Sequence, residues 1–339
     1  MSKRIVISGY YGFDNFGDEA ILSVLLNHLK QFDLEVVVLS SSPRKTSMNY
    51  LVNSIYSFDF HQVSGLIKQS DILISGGGSL LQDVTSLKSL IYYLWVIFTA
   101  LRYKKKVIIF AQGIGPIRNN LARFVTTMIL KNCDYISVRD YKSQKMLEFN
   151  NVKADLLCDP IFSLNLIPAV NKGIVGVQLR DFATLNDALL NKLARQLIKE
   201  FYNKKIELYA LQYELDFHIC DKFKKILNSI APNIDVEIVH SLPLSKMIER
   251  MSNLEYMIAM RYHALVVALK LGIACVGINY DAKVEKLAHD ASIPLISMKG
   301  LEDFDQVFSA LKTLNKKDLC EYANSMNFDW SKVDEIITE

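Results

Sequence analysis

The chain has 339 residues, half of them apolar and 22% charged, which is enough apolar sequence for two cores and excludes a disordered chain. Its net charge is only +3 and its basic residues are dispersed, so the cationic footprint of a nucleic-acid-binding protein is absent. The five cysteines, Cys133, Cys158, Cys220, Cys275 and Cys320, are odd in number, far apart and without a C-x-x-C, which excludes a disulfide framework and a zinc site.

In chain order, residues 4–8 predict a short buried strand. It runs into the glycine-rich Gly9-Tyr10-Tyr11-Gly12-Phe13-Asp14-Asn15-Phe16-Gly17-Asp18-Glu19. A helix follows, with Ile21, Leu22, Leu25, Leu26 and Leu29 on one face. Strand, glycine turn and helix in that order leave backbone N–H groups that attract phosphate or carboxylate. Asp18 and Glu19 at the helix mouth read either as a cap or as part of a site.

Further strands are predicted at 35–39, 72–75, 107–111 and 135–138, then at 174–178, 206–211, 236–239, 256–259 and 274–278. Each is short, rich in Val, Ile and Leu, and apolar on both faces, the signature of parallel strands covered by helices. Helical patterns intervene, among them 121–132, 186–202, 246–252 and 264–271. The apolar run 90–101 is too short for a membrane span of about twenty residues. It predicts a helix buried against the sheet, the alternative being a helix lying on a membrane surface, which its aromatics and the trailing Arg102, Lys104, Lys105 and Lys106 suit.

The alternation pauses at 160–173, a stretch with two prolines and no period. It predicts two domains, 1–165 and 166–339. The fold class is α/β, with two Rossmann-like domains facing one another across a cleft. No secretion signal is visible at the start of the sequence, which predicts a reducing, cytoplasmic setting.

Ligands in such sheets bind beyond the carboxyl ends of the strands, and the unusual residues fall there. Strand 72–75 ends in Gly76-Gly77-Gly78-Ser79, with Asp83 just beyond. Strand 107–111 ends in Gln112-Gly113-Ile114-Gly115, and strand 135–138 in Arg139-Asp140. In the second half, strand 174–178 ends in Leu179-Arg180-Asp181, strand 256–259 in Met260-Arg261-Tyr262-His263, and strand 274–278 in Asn279-Tyr280-Asp281-Ala282-Lys283. The triple glycine favours close backbone approach to a ligand over a plain turn. His263 shares a helix start with Arg261, a setting for an imidazole that exchanges protons. These residues predict a cleft for an anion carrying phosphate and carboxylate. The P-loop signature and the G-x-S-x-G elbow are absent, as is a metal-ligand motif.

The motifs at 9–20, 76–83 (Gly-Gly-Gly-Ser-Leu-Leu-Gln-Asp), 111–116 (Ala-Gln-Gly-Ile-Gly-Pro), 137–140 (Ser-Val-Arg-Asp) and 260–265 (Met-Arg-Tyr-His-Ala-Leu) occur in that order. Together they resemble the polysaccharide pyruvyl transferases, closest to the CsaB type that decorates surface and cell-wall polysaccharides. The resemblance implies a fold like that of the two-domain GT-B glycosyltransferases. It also implies transfer of pyruvate from phosphoenolpyruvate to a sugar as a cyclic ketal, with release of phosphate and no cofactor. On that reading His263 is the acid/base and Asp18 its partner. The donor is held by Arg139, Arg180, Arg261 and Lys283 and by the backbone at Gly76, Gly77, Gly78, Gly113 and Gly115. Asp14, Asn15, Gln112 and Asp83 face the acceptor, a sugar or a lipid-linked oligosaccharide. Asp14 departs from the family pattern, which implies a small residue there. A lipid-linked acceptor would place the protein peripherally at the inner membrane face, with the 90–106 stretch as its contact. The rival readings are a GT-B glycosyltransferase using a nucleotide-sugar donor and a catalytically inactive polysaccharide-binding scaffold.

Overall fold

A computed structural model of the chain describes residues 2–182 and 185–339. It separates into two compact units. The first runs to Leu164 and takes back Asn327–Glu339; the second is Asn165–Met326.

The first unit contains strands β1 (Lys3–Ser8), β2 (Leu34–Ser40), β3 (Asn53–Tyr56), β4 (Ile72–Ser75), β5 (Gly78–Leu81), β6 (Lys106–Ile114), β7 (Tyr135–Val138) and β8 (Asp155–Leu156). Its helices are α1 (Phe16–Leu29), α2 (Pro43–Tyr50), α3 (Phe60–Gln69), α4 (Leu87–Arg102), α5 (Asn120–Leu130) and α6 (Tyr141–Phe149). The strands pair in parallel in the order β3-β2-β1-β4-β6-β7-β8, with β5 beside the end of β6. The second unit contains β9 (Ile174–Gln178), β10 (Ile206–Ala210), β11 (Val236–His240), β12 (Leu254–Ala259), β13 (Ala274–Asn279) and β14 (Leu295–Ser297). Around them lie α7 (Asp187–Phe201), α8 (Tyr213–Ile230), α9 (Leu244–Met251), α10 (Tyr262–Lys270), α11 (Ala282–Asp290), α12 (Phe304–Thr313) and α13 (Lys316–Ser325). Their order β11-β10-β9-β12-β13-β14 is the doubly wound order of a dinucleotide-binding fold.

Each sheet is Rossmann-like, and each reverses its strand order once, between β1 and β4 and between β9 and β12. The carboxyl ends of those pairs are where such folds hold ligands. The central strands are buried on both faces, as in Ile5, Val6 and Ile7 of β1 or Met257, Ile258 and Ala259 of β12. That burial is why they read as continuous apolar runs.

The sequence predicts a second domain running to residue 339, whereas the second unit ends at Met326. The closing helix, α14 (Ser331–Thr338), returns to the first unit. Phe328, Val333 and Ile337 join the core around Ile5 and Phe110. His28 stacks on Trp330 with ring centres 3.7 Å apart and bonds Asp334 at 2.6 Å. Buried apolar area decides where this segment docks, and its own periodicity says nothing of which core receives it. The 160–173 stretch opens with a buried 3-10 turn, Pro160–Ser163, before extended backbone begins.

Candidate functional site

In the first unit the β1–α1 loop is organised around Tyr11. Its ring is wholly buried and occupies the space a Cβ would need at Gly9, while its hydroxyl lies where a Cβ would fall at Gly76. A Cβ at Gly77 would meet Ile21 at 2.7 Å, and one at Gly78, whose φ is +100°, would strike the Asp18 carboxylate. The protein's own side chains packed at the switch point are thus enough to require the three glycines, whether or not a ligand also approaches their backbone. The Gly76 N–H already donates to the Ser8 carbonyl at 2.6 Å. Gly115 is likewise internal: its N–H donates to the Leu81 carbonyl at 2.7 Å, and Met146 occupies its Cβ side. Gly113 is buried within β6.

Asn15 caps α1, accepting the Gly17 N–H at 3.1 Å, so neither Asp18 nor Glu19 is the cap. Glu19 instead ties the loop down. One carboxylate oxygen accepts the Gly12 N–H at 2.8 Å and the other accepts the Tyr50 hydroxyl at 2.6 Å. Burial pushes its carboxyl above the usual range, with those two hydrogen bonds pulling the other way. Asp18, in the first turn and buried, stands beside two tyrosines. Burial first and then its negative charge raise the hydroxyls of Tyr11 and Tyr93 well above the ordinary phenol range. Asp14, in the left-handed region at φ 56°, meets Lys45 at 2.5 Å, which neutralises the charge that the family pattern lacks.

Three more residues expected at the site have internal partners. Gln112 is fully buried, and its amide donates to the Ser75 hydroxyl at 2.8 Å and the Gly76 carbonyl at 2.9 Å, which holds the end of β4. Asp83 accepts the backbone N–H groups of Arg118 and Asn119, both at 2.8 Å, and the Arg118 bond is the main cause of its lowered pKa. It braces the loop after β6. Arg139 donates to Asp159 at 2.6 Å, with the two side chains only 8% and 2% exposed. Its guanidinium is thus committed to a buried ion pair, and the adjacent Asp140 caps α6.

In the second unit the adjacent strands β9, β12 and β13 end together. Arg180 follows β9, Arg261 to His263 follow β12, and Tyr280 to Lys283 follow β13. His263 is the second residue of α10, whose residues from Ala264 to Leu269 are all buried, so the imidazole stands on a rigid base. Lys283 is the second residue of α11, capped by Asp281 at 2.9 Å. Two helix N-termini with a histidine and a lysine in their first turns thus lie on one sheet edge, a setting that favours anions. The Arg180 guanidinium lies 5.7 Å from the centre of the Tyr280 ring, and Phe182 packs edge-on to that ring.

Arg261 has a different role from the one its position suggests. Its Nε and Nη2 donate to the two oxygens of Asp216 at 2.8 and 2.7 Å, and Asp216 is fully buried. Gln178 accepts the Arg261 N–H at 2.7 Å. The guanidinium is neutralised internally and anchors the β12–α10 turn that carries His263. Asp216 and Gln178 carry no local signal of this network; only the packing of α8 onto the strand ends reveals it. Among the described residues no group of three or more His, Cys, Asp or Glu side chains is gathered as for a metal ion.

Two doubly wound parallel sheets, with an imidazole and cations at the switch point of the second, define an α/β protein of the GT-B class. A family model described as polysaccharide pyruvyl transferase matches residues 15–282, and the chain belongs to that family. A search of curated proteins gives no match. Among solved structures the chain is similar to a UDP-N-acetylglucosamine 2-epimerase, at 12% identity and TM-score 0.64, over 99% of this chain and 95% of that one. The Methanocaldococcus jannaschii UDP-GlcNAc 2-epimerase is similar at 11% identity and TM-score 0.63, over 99% of both chains. An α-glucosyltransferase in complex with UDP and DNA is similar at 16% identity and TM-score 0.60, over the whole of both chains. At these identities the likeness is one of fold.

Proposed function

We propose that the chain transfers pyruvate from phosphoenolpyruvate to two hydroxyls of a sugar in a surface or cell-wall polysaccharide or its lipid-linked precursor, forming a cyclic ketal and releasing phosphate. The observation that carries this reading is Arg180, His263 and Lys283 on one sheet edge of a chain in this family. C3 of the enol takes up a proton and C2 becomes an oxocarbenium-like centre. One sugar hydroxyl adds, phosphate leaves, and the second hydroxyl closes the ring. Of the two hydroxyl protons lost, one balances that gained at C3 and the other leaves with phosphate.

His263 is assigned the proton transfers. Arg180, Lys283 and the N-termini of α10 and α11 hold phosphate and carboxylate. Arg261 and Arg139 are positioning residues through Asp216 and Asp159. Mass spectrometry of candidate saccharides after incubation with phosphoenolpyruvate tests the reaction: a gain of one ketal-linked pyruvate supports it, and unchanged saccharides with no phosphate released reject it. UDP in the complexes of structurally similar proteins favours a second reading, nucleotide-sugar chemistry. Thermal stabilisation by UDP and not by phosphoenolpyruvate would select it.

A further inference from the structure

The sequence leaves the 90–101 run between two uses, and α4 has a face for each. Leu90, Tyr93, Leu94, Val96, Ile97 and Ala100 are buried in the first unit's core. Leu87, Ile91, Phe98 and Arg102 are exposed, at spacings that form one stripe. On α5, which packs beside α4, a matching stripe of Leu121, Phe124, Val125 and Met128 is exposed, Leu121 at 71% and Phe124 at 62%. On the other side of α4, the half-exposed Phe60 of α3 packs edge-on to Trp95 with ring centres 4.8 Å apart. Three neighbouring helices thus present one apolar, aromatic surface. An exposed surface of this kind marks an interaction site.

The three helices themselves carry charges of a single sign. The residues of α3, α4 and α5 include no Asp or Glu, but do include Lys68, Lys88, Arg102 and Arg123. At the carboxyl ends of α4 and α5 lies a depression of about 640 Å³. Phe98, Leu101 and Met128 line it together with Arg102, Lys104, Lys105, Lys106 and one acid, Asp134. Among the described residues, Lys106 alone of the 102–106 run is ion-paired, with Asp134 and Glu339, both at 3.4 Å. No described helix is long and apolar enough to cross a membrane, so contact through this face is lateral.

We propose that the α3–α4–α5 face docks on a bilayer surface bearing anionic lipid. Ile91, Phe98, Leu121, Phe124 and Met128 enter the headgroup boundary, and Arg102, Lys104 and Lys105 meet lipid phosphate. A second copy of the chain is the poorer occupant, because these helices offer the cationic run no acidic counterpart in a symmetric pairing. The proposal does not rest on the donor chemistry and survives its failure.

The test is co-flotation of the full chain with phosphatidylcholine vesicles, with and without phosphatidylglycerol, at low and high salt. The expected result is binding to the anionic vesicles that weakens with salt. Replacing Lys104 and Lys105 together by alanine lowers partition on the order of tenfold at low salt. Phe98→Ser with Phe124→Ser lowers it by about tenfold or more. Lys104, Phe98 and Phe124 are exposed and Lys105 is half-buried, so these variants stay close to the wild-type melting temperature. Absence of flotation on anionic vesicles at low salt, or flotation undiminished by both variants, overturns the proposal. So does a concentration-dependent dimer that the double serine variant abolishes, which would assign the face to self-association.

Discussion

Gly76→Ala tests whether the triple glycine is held by Tyr11 or by a ligand. An ideal Cβ at Gly76 falls on the Tyr11 hydroxyl, 3.0 Å from Cζ and 3.2 Å from the Ser8 carbonyl oxygen. The backbone is pinned by the 2.6 Å bond from Gly76 N–H to that same carbonyl, and the Tyr11 ring is fully buried over Gly9. Neither side can yield cheaply, so the substitution carries an overpacking cost of about 1–3 kcal/mol. For a unit of this size that lowers the melting temperature by roughly 3–10 °C. Tyr11→Phe removes the colliding atom. The hydroxyl is buried and, among the described residues, has no hydrogen-bond partner, so the single change is within about 1 kcal/mol of wild type. The double variant recovers at least half of the alanine loss, a coupling of about 1 kcal/mol or more. Calorimetric melting of the four proteins measures it. Additive losses refute the packing argument. So does an unchanged melting temperature accompanied by a raised KM for phosphoenolpyruvate, which would return Gly76 to the ligand.

Asp216→Ala strands the Arg261 guanidinium, only 13% exposed, without its counter-charge. A loss of about 3–5 kcal/mol is expected in denaturant titration of the second unit, and a loss under 1 kcal/mol would show that the pair does not anchor the turn. Glu19 gives a pH signature. Its folded-state pKa is raised by burial, so the folded chain binds the proton more tightly than the unfolded one. Stability therefore falls as pH rises from about 4.3 through the folded pKa. Glu19→Gln removes that slope, and a wild type that gains stability relative to the variant over this range contradicts it. His263→Asn is expected to lower kcat by roughly 100-fold or more with the melting temperature retained, and near-normal turnover removes the imidazole from the mechanism. Arg180→Lys, which gives up planar two-point bonding, is expected to raise KM for phosphoenolpyruvate about tenfold; an unchanged KM removes Arg180 from the clamp.

Much of this was legible in the sequence where the signal is local. The central strands are apolar on both faces and end in glycines or charges, so 72–75, 135–138 and 174–178 match β4, β7 and β9. The short β5, β8 and β14 are too brief to show a period, and the polar α2 has one buried residue, Thr46. The kink that carries β6 past residue 111 depends on Ala111 at φ 46°, whose N–H donates to the Ser137 hydroxyl at 2.9 Å, a partner from another strand. The same distance in sequence hid the partners of the arginines. Asp159 lies 20 residues from Arg139, and Asp216 lies 45 from Arg261. A cation at a strand end looks alike whether it faces a ligand or a buried carboxylate. The glycines are ambiguous for a related reason: close approach requires them equally for a phosphate and for a tyrosine.

The most direct measurement of the central claim is the reaction run in D₂O with phosphoenolpyruvate carrying heavy oxygen at its bridging position, followed by NMR and mass spectrometry of both products. Pyruvyl transfer by protonation at C3 predicts one deuterium in the methyl group of the sugar ketal and the heavy oxygen in released phosphate. A ketal methyl without deuterium, or a bridging oxygen left on the three-carbon product, contradicts the account.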